Sequence, residues 1–421
     1  MKKYLFLSLI ISLFLVGCDT NQIENDSNTK IKEDIEISEN LSISNSETII
    51  DNEPVLEEFN DSNVIETKID NNEESLTIQE TEEIVEDEID KENIVLENSY
   101  ENITLGFVGD VYLGDKLYSH YNNENNVLGF MSEKVLSNFQ NVDIMVANHE
   151  YVSTDLPDSS RDTRQLYNFK APTNREYIWN ELGVDVLSLA NNHAMDYGEQ
   201  SLFDTIETLD SLNLAHIGAG KDLEDAKKSY IKEINGKKIA ILATCRFIVD
   251  GEWYATEDTS GVLTTYDTTP YFEIVKDEIK RLKDEEKCDF VIVYVHFGTE
   301  KSNKPNSNQP LIAYGYIDSG ADCVIGSHAH TLQGIEFYNG KPIYYNLGNF
   351  LFSSYDVDTM VVNISINEDN TCNTSILPCM AGNFKVTDAT GDNYVRILDY
   401  IESISINAYI DENGNVFEKE E

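Results

Sequence analysis

Apolar runs recur along the chain, and each ends in a polar cluster. The runs are Ile103-Thr104-Leu105-Gly106-Phe107-Val108, Val142-Asp143-Ile144-Met145-Val146-Ala147, Val184 to Ala190, Lys238 to Thr244, Phe290 to Val295 and Asp322-Cys323-Val324-Ile325. Nearly continuous Val, Ile and Leu of this kind predict strands covered on both faces, and helical patterns between them predict βαβ units. Helices are expected over Asn174 to Leu182, over Glu199 to Leu212 with Leu202, Ile206, Leu209 and Leu212 on one face, and over Thr269 to Glu286. Met360 to Ile366 alternates as an antiparallel strand should. Tyr394 to Ser403 reads as a closing helix, and residues 406–421 as a polar tail.

The polar clusters carry the chemistry. Gly109-Asp110 follows the first run, Asn148-His149-Glu150 the second and Asn191-Asn192-His193 the third. His296-Phe297-Gly298-Thr299-Glu300 follows the fifth, and Gly326-Ser327-His328-Ala329-His330 closes the sixth, with Leu347-Gly348-Asn349-Phe350 soon after. Ligands of open α/β sheets gather outside the carboxyl ends of the strands. Three His, two carboxylates and an Asn on one rim form a mixed nitrogen and oxygen set, which suits Mn, Fe or Zn and not an all-oxygen ion such as Mg or Ca. One or two divalent transition-metal ions are therefore expected, a second lying about 3.5–4 Å from the first across a shared carboxylate. The alternative for any one residue is an ordinary hydrogen-bonded strand end. His120 and His216 lie outside the clusters and are expected at the surface or in satisfied core positions.

Three spaced motifs in order, Ala190-Asn191-Asn192-His193 with Asp196-Tyr197-Gly198, then Gly326 to His330, then Leu347 to Phe350, carry a resemblance. From about residue 103 to 400 the chain resembles the CapA-type family of poly-γ-glutamate capsule proteins, related to the calcineurin-like metallophosphoesterases. The resemblance implies an α/β fold of two packed mixed sheets flanked by helices, an αββα sandwich with the metal rim at one edge. It implies Asp110, Glu150, Asn192, His296, His328 and His330 as metal ligands, Glu150 in the place of the bridging acid. It implies His193 as the proton donor to the leaving group, with Asn349 helping to position the substrate. Two departures stand out. The phosphoesterase pattern opens Asp-x-His, whereas here the third residue is Tyr112; and His149 occupies a place the family usually gives to a small apolar residue. His149 either compensates for the missing imidazole or points away.

Composition limits what surrounds this centre. Met1-Lys2-Lys3 and the apolar Tyr4 to Val16 form a leader too short for a stable spanning helix. Leu15-Val16-Gly17-Cys18 resembles a bacterial lipobox, so residues 1–18 are expected as a lipoprotein signal peptide, Cys18 as the lipidated residue, and the domain outside the cell membrane; a plain secretory leader is the alternative. Residues 19–102 are crowded with Glu, Asp, Asn, Ser and Thr and hold two aromatic residues, Phe59 and Tyr100. Such a stretch cannot bury enough apolar surface to order itself, and it is expected as an acidic disordered tether to a domain over 103–405. Residues 19–101 hold 27 acidic and 4 basic residues, or −23; with Lys2 and Lys3 set aside, the rest of the −47 leaves about −26 on the folded part. That field excludes nucleic acid as a partner. An anionic capsule polymer would need bridging cations or a local basic patch, for which Arg161, Arg164, Lys170 and Arg175 are the candidates. Arg164, Lys170 and Glu300 are accordingly candidate substrate-binding residues.

Cys245, Cys288 and Cys323 lie in or beside strand runs and are expected as small core residues, while Cys372 and Cys379 are close enough in sequence for a disulfide that geometry could forbid. Two functions remain open. One is a metal-dependent hydrolase of a phosphoester or an envelope-polymer amide; the other is a binding or scaffold subunit of a capsule-export assembly that keeps a metal for structure. Either implies the membrane, the envelope polymer and its synthesis machinery as partners.

Overall fold

The computed structural model describes residues 101–266 and 270–420; the leader, Cys18 and the acidic stretch as far as residue 100 lie outside the described residues. Among those residues no helix is long and apolar enough to cross a membrane. Two mixed sheets, of ten and six strands, dominate the structure. In the larger, Ile103–Val111, Ile144–His149, Val186–Ser188 and Ala215–Ile217 run parallel in that order. Val357–Ile366 and then Cys372–Gly382 continue it antiparallel on the other side. In the smaller, Lys237–Cys245, Phe290–Phe297, Cys323–His328 and Lys341–Tyr344 are parallel, with antiparallel strands at both edges.

Alternation along Phe290–Phe297 shows how the layers assemble. Ile292 and Tyr294 join a core with Phe107, Val146 and Leu187 of the larger sheet, while Val291, Val293 and Val295 join a second core with Val275, Ile279 and Ile312. The first set faces the partner sheet, and the second faces the helices Pro270–Asp284 and Asn308–Asp318. Each apolar side chain so buried contributes about 1.5–3 kcal/mol. Polar ties between the sheets fix their register: the Tyr294 hydroxyl donates to the Val108 carbonyl at 2.8 Å, and Tyr344 meets Thr374 at 2.5 Å.

The closing helix spans Asp392–Ile404. Residues 406–421 differ from the expected polar tail: Ala408–Ile410 and Asn415–Glu418 form a hairpin on the edge of the larger sheet, with Ala408, Ile410 and Val416 buried. Two strands this short carry too few alternations to stand out among polar neighbours. Cys372 and Cys379 are both unpaired. They lie seven positions apart on one strand, at about 3.3 Å per residue, far beyond disulfide reach. Cys245, Cys288 and Cys323 are buried thiols.

Candidate metal centre

Five parallel strands end on one rim, and close backbone contact brings the two sheets' ends together there. A side chain on Gly109 would place its Cβ 2.0 Å from the Gly348 carbonyl oxygen, so the residue before Asp110 must be glycine. Gly326 is under the same demand from the Tyr345 carbonyl, at 2.1 Å. Beyond it the chain turns sharply, with His328 at φ 97° and His330 at φ 54°. Left-handed backbone at two histidines costs about 1–3 kcal/mol each and persists only where the surroundings impose it.

The turn serves to aim imidazoles at carboxylates. One donor set comprises Asp110, Glu150 and His330, and the other Glu150, His296 and His328; the atoms within each lie within 4.8 Å of one another. His330 Nδ1 lies 3.1 Å from Asp110 Oδ2, and its Nε2 is 3.7 Å from Glu150 Oε1. His296 Nε2 is 3.8 Å from the same Glu150 oxygen, 3.0 Å from His328 Nδ1 and 2.7 Å from Asn192 Oδ1. Glu150 thus stands between the two sets. Neither Asp110 Oδ2 nor Glu150 Oε1 accepts a hydrogen bond, although both are buried. Two buried carboxylate oxygens without donors, faced by imidazole nitrogens, are what a divalent cation would satisfy, and the donor set fits one. Asn349 Oδ1 accepts from His330 Nδ1 at 2.7 Å.

Electrostatics follow from burial and crowding. Burial, with the charge of Asp110 added, pushes the Glu150 carboxyl well above the usual carboxylate range. Burial acts the same way on Asp110, but the His330 imidazole outweighs it and holds that carboxyl well below its ordinary value. Burial lowers His296 well below the usual imidazole value and, with His330 nearby, takes His328 down to about 3. Both histidines are therefore neutral, the form that binds metal. His330 goes the other way: burial disfavours its charge, but the Asp110 carboxylate raises it overall.

His193 sits at the rim, outside both donor sets. Its Nδ1 pairs with the buried Asp196 carboxylate at 2.8 Å, leaving Nε2 as the free ring nitrogen, and its backbone N–H donates to Asn191 Oδ1 at 2.9 Å.

Some expected residues do not converge. His149 points away from the centre, with Nε2 3.0 Å from Glu176 and its ring stacked on Tyr151 at 3.8 Å, so it does not replace the missing imidazole. Tyr112 also turns outward, its hydroxyl donating to the Lys170 carbonyl and its ring packed against Tyr151, Phe169 and Phe352. Arg164 is tied to Asp162, Asp250 and Glu252, Lys170 to Asp158 and the Leu156 carbonyl, and Arg175 to Asp115. Three of the four candidate cations are thus paired with acids both near in sequence, Asp162 and Asp158, and far from it, Asp250, Glu252 and Asp115, and of the four only Arg161 is exposed without a salt bridge among the described residues. Glu300 is exposed, and its charge raises both Glu150 and His330. His120 meets the Asn383 carbonyl and His216 meets Asp210, both away from the centre.

Sequence reasoning missed Asn148, the centre's main organiser. Its Nδ2 reaches Asp110 Oδ1 at 2.9 Å and Glu150 Oε2 at 3.1 Å, while its Oδ1 accepts from Asn191 at 3.1 Å. Its place beside Glu150 was the only available sign. Asp196, quoted as part of a motif, was not assigned the role of orienting His193.

A family model described as "Bacterial capsule synthesis protein PGA_cap" matches residues 104–354. The chain is 29% identical over 288 residues to the capsule biosynthesis protein CapA of Bacillus anthracis, covering 66% of this chain and 67% of that one. It is 34% identical over 255 residues to the PGA biosynthesis protein CapA of Bacillus subtilis (strain 168), covering 59% and 63%. The chain thus spans about two thirds of the length of these relatives. Among solved structures, the NAD nucleotidase NadN of Haemophilus influenzae aligns over 73% of this chain and 64% of its own, with 12% identity and a TM-score of 0.42.

Proposed function

The chain belongs to the bacterial capsule synthesis family PGA_cap, and from that membership we propose that it serves poly-γ-glutamate capsule production as an envelope-anchored metal-dependent hydrolase. The observation that carries the hydrolase reading is Glu150 Oε1, buried without a hydrogen-bond donor between two sets of metal-ligand atoms. Asp110, Glu150 and His330 would hold one ion, and Glu150, Asn192, His296 and His328 the other. A divalent Mn, Fe or Zn ion held there would supply Lewis acidity and lower the pKa of water. The chain's own residues do the rest. Asn148 holds Asp110 and Glu150 in register, and Asp196 fixes the ring of His193 so that Nε2 can pass a proton to the leaving oxygen or nitrogen of a phosphoester or amide. Asn349 holds His330 on the opposite side.

Anchoring completes the reading: Cys18, at the end of the lipobox-like Leu15 to Cys18, carries lipid, and residues 19–102 tether the domain outside the membrane. Mass spectrometry of the membrane fraction should find Cys18 acylated at a new N-terminus; an intact precursor with an unmodified thiol sinks this part.

The outward turn of Tyr112 favours a second reading, in which a weakened centre serves a scaffold subunit. His193→Ala separates the two. As a hydrolase the variant keeps its metal by elemental analysis while turnover falls roughly 10²–10⁴-fold, and cells carrying it lose capsule. Undiminished surface polymer at normal protein abundance rejects the catalytic role.

A further inference from the structure

Two loops frame the rim, residues 161–169 and 246–253, and their contacts with it are aromatic. The Phe247 ring stacks on His328 with centroids 4.8 Å apart, yet the residue is 43% exposed, so its outer surface faces solvent. Phe169 lies 4.5 Å from the His193 ring, and Tyr167 lies nearly parallel to Phe169 at 6.5 Å while remaining 60% exposed. Phe352 links this side to the second histidine, at 5.0 Å from both Phe169 and His330. Leu166 beside Tyr167 is 83% exposed. One exposed ring, Phe247, stacks directly on a rim histidine, and a second, Tyr167, reaches His193 through Phe169, so both present open faces on which a ring can stack.

The loops are also fastened. Arg164 of the first ion-pairs with Asp250 and Glu252 of the second, at 2.7 and 3.1 Å, and lies over the Trp253 ring. The first is anchored below by the Asp196 carboxylate, which accepts from Gln165 and from the Phe169 backbone N–H. Of the cations nearby, Arg164 and Lys170 are paired with carboxylates and Arg246 lies over the Tyr266 ring, while Arg161 in the first loop and Lys301 beside His330 are exposed. Exposed Glu300 adds negative charge. Exposed rings on both loops beside the centre favour a ligand that brings a ring of its own to stack on them.

We infer that Tyr167 and Phe247 form a ring-binding mouth over the centre, selecting substrates whose scissile group is attached to a flat or pyranose ring, with Arg164 clasping the two loops that carry it. This rests on the metal-dependent hydrolase reading. Full-length protein loaded with Mn is titrated calorimetrically with methylphosphonate, phenylphosphonate and glucose 1-phosphate, which share a dianionic head. Phenylphosphonate or glucose 1-phosphate should bind about tenfold tighter than methylphosphonate, and which of the two gains more identifies an aryl or a sugar ring. Tyr167→Ala, whose ring touches no metal-ligand histidine, should cut the gain several-fold, and Tyr167→Ala with Phe247→Ala should abolish it, each at the parent's Mn stoichiometry, while Tyr167→Phe should keep it. A ring advantage that is absent, or that survives the double alanine variant, overturns the inference alone. If Mn-loaded protein binds none of the three, the inference falls together with the hydrolase reading.

Discussion

The two donor sets share Glu150 and otherwise differ. The set of Glu150, Asn192, His296 and His328 is buried, contains two neutral imidazoles and has four donors. The set of Asp110, Glu150 and His330 has three, two of them carboxylates, and its one imidazole is 14% exposed. The difference comes from Tyr112, which occupies the position of a further imidazole and turns away into an aromatic cluster. A nitrogen-rich buried set suits borderline transition metals better than a carboxylate-rich, partly open one. Two sites on one carboxylate can therefore be unequal, the first holding its ion firmly and the second exchanging it.

The strongest way to break this comparison is to remove the shared group. Glu150→Gln keeps the shape but takes the bridging charge from both sets, so affinity for both ions should fall by roughly 100-fold or more, beyond the 10–100-fold typical of losing an outer partner. Elemental analysis after dialysis should find the protein nearly metal-free; retention of one full equivalent would mean that Glu150 serves a single set. Next, His330→Ala leaves the poorer set with two carboxylates, and one ion per chain should remain. Under the same dialysis His328→Ala should cost the richer set its ion, and equal losses in the two variants would erase the proposed inequality.

Asn148→Asp probes the link between the sets. A third carboxylate beside Asp110 and Glu150 should destabilise the metal-free protein by about 3 kcal/mol, with much of that recovered when Mn is added. Denaturant unfolding with and without chelator measures both; a loss that Mn does not restore would mean that no ion sits between these acids. The smallest effect is on pH. The raised Glu150 contributes stability to the metal-free protein below its ordinary value of 4.5, and that contribution is lost as pH rises through the higher folded value. Asp110, held low, works in reverse: its contribution is present above 3.8 and is lost only as pH falls further. Metal-free protein should therefore lose stability as pH rises above about 4.5 more than metal-loaded protein does, as read from chelator-treated melting curves. Parallel curves would mean that Glu150 ionises as freely without an ion as with one.

The convergence of these side chains was legible because each candidate ligand lies at, just past or soon after the carboxyl end of a buried strand, where polar side chains can meet. Asp110, Glu150, Asn192, His296, His328 and His330 declared themselves in that way. Asn148 did not, because an amide beside an acid carries no pattern of its own and its two carboxylate partners come from different strands. The failure of the basic patch had a similar cause. Arg164 was visible, but Asp250 and Glu252, which neutralise it, lie over eighty positions away, and charge counted along a chain does not show which charges meet. The edge hairpin over Ala408–Glu418 escaped because sheet pairing with Thr374 and Ser375 defines it, not its own composition.

The left-handed turns at His328 and His330 also bear on rate. Those backbone angles accompany the close packing of Gly326 against Tyr345 and turn the imidazoles toward Asp110 and Glu150. On the proposed metal reading, filling such a cage would require no refolding, and the time an ion takes to enter would be governed by how fast it sheds water and passes the aromatic loops. Loss of an ion would likewise leave the cage standing for whichever cation the surrounding medium offers next.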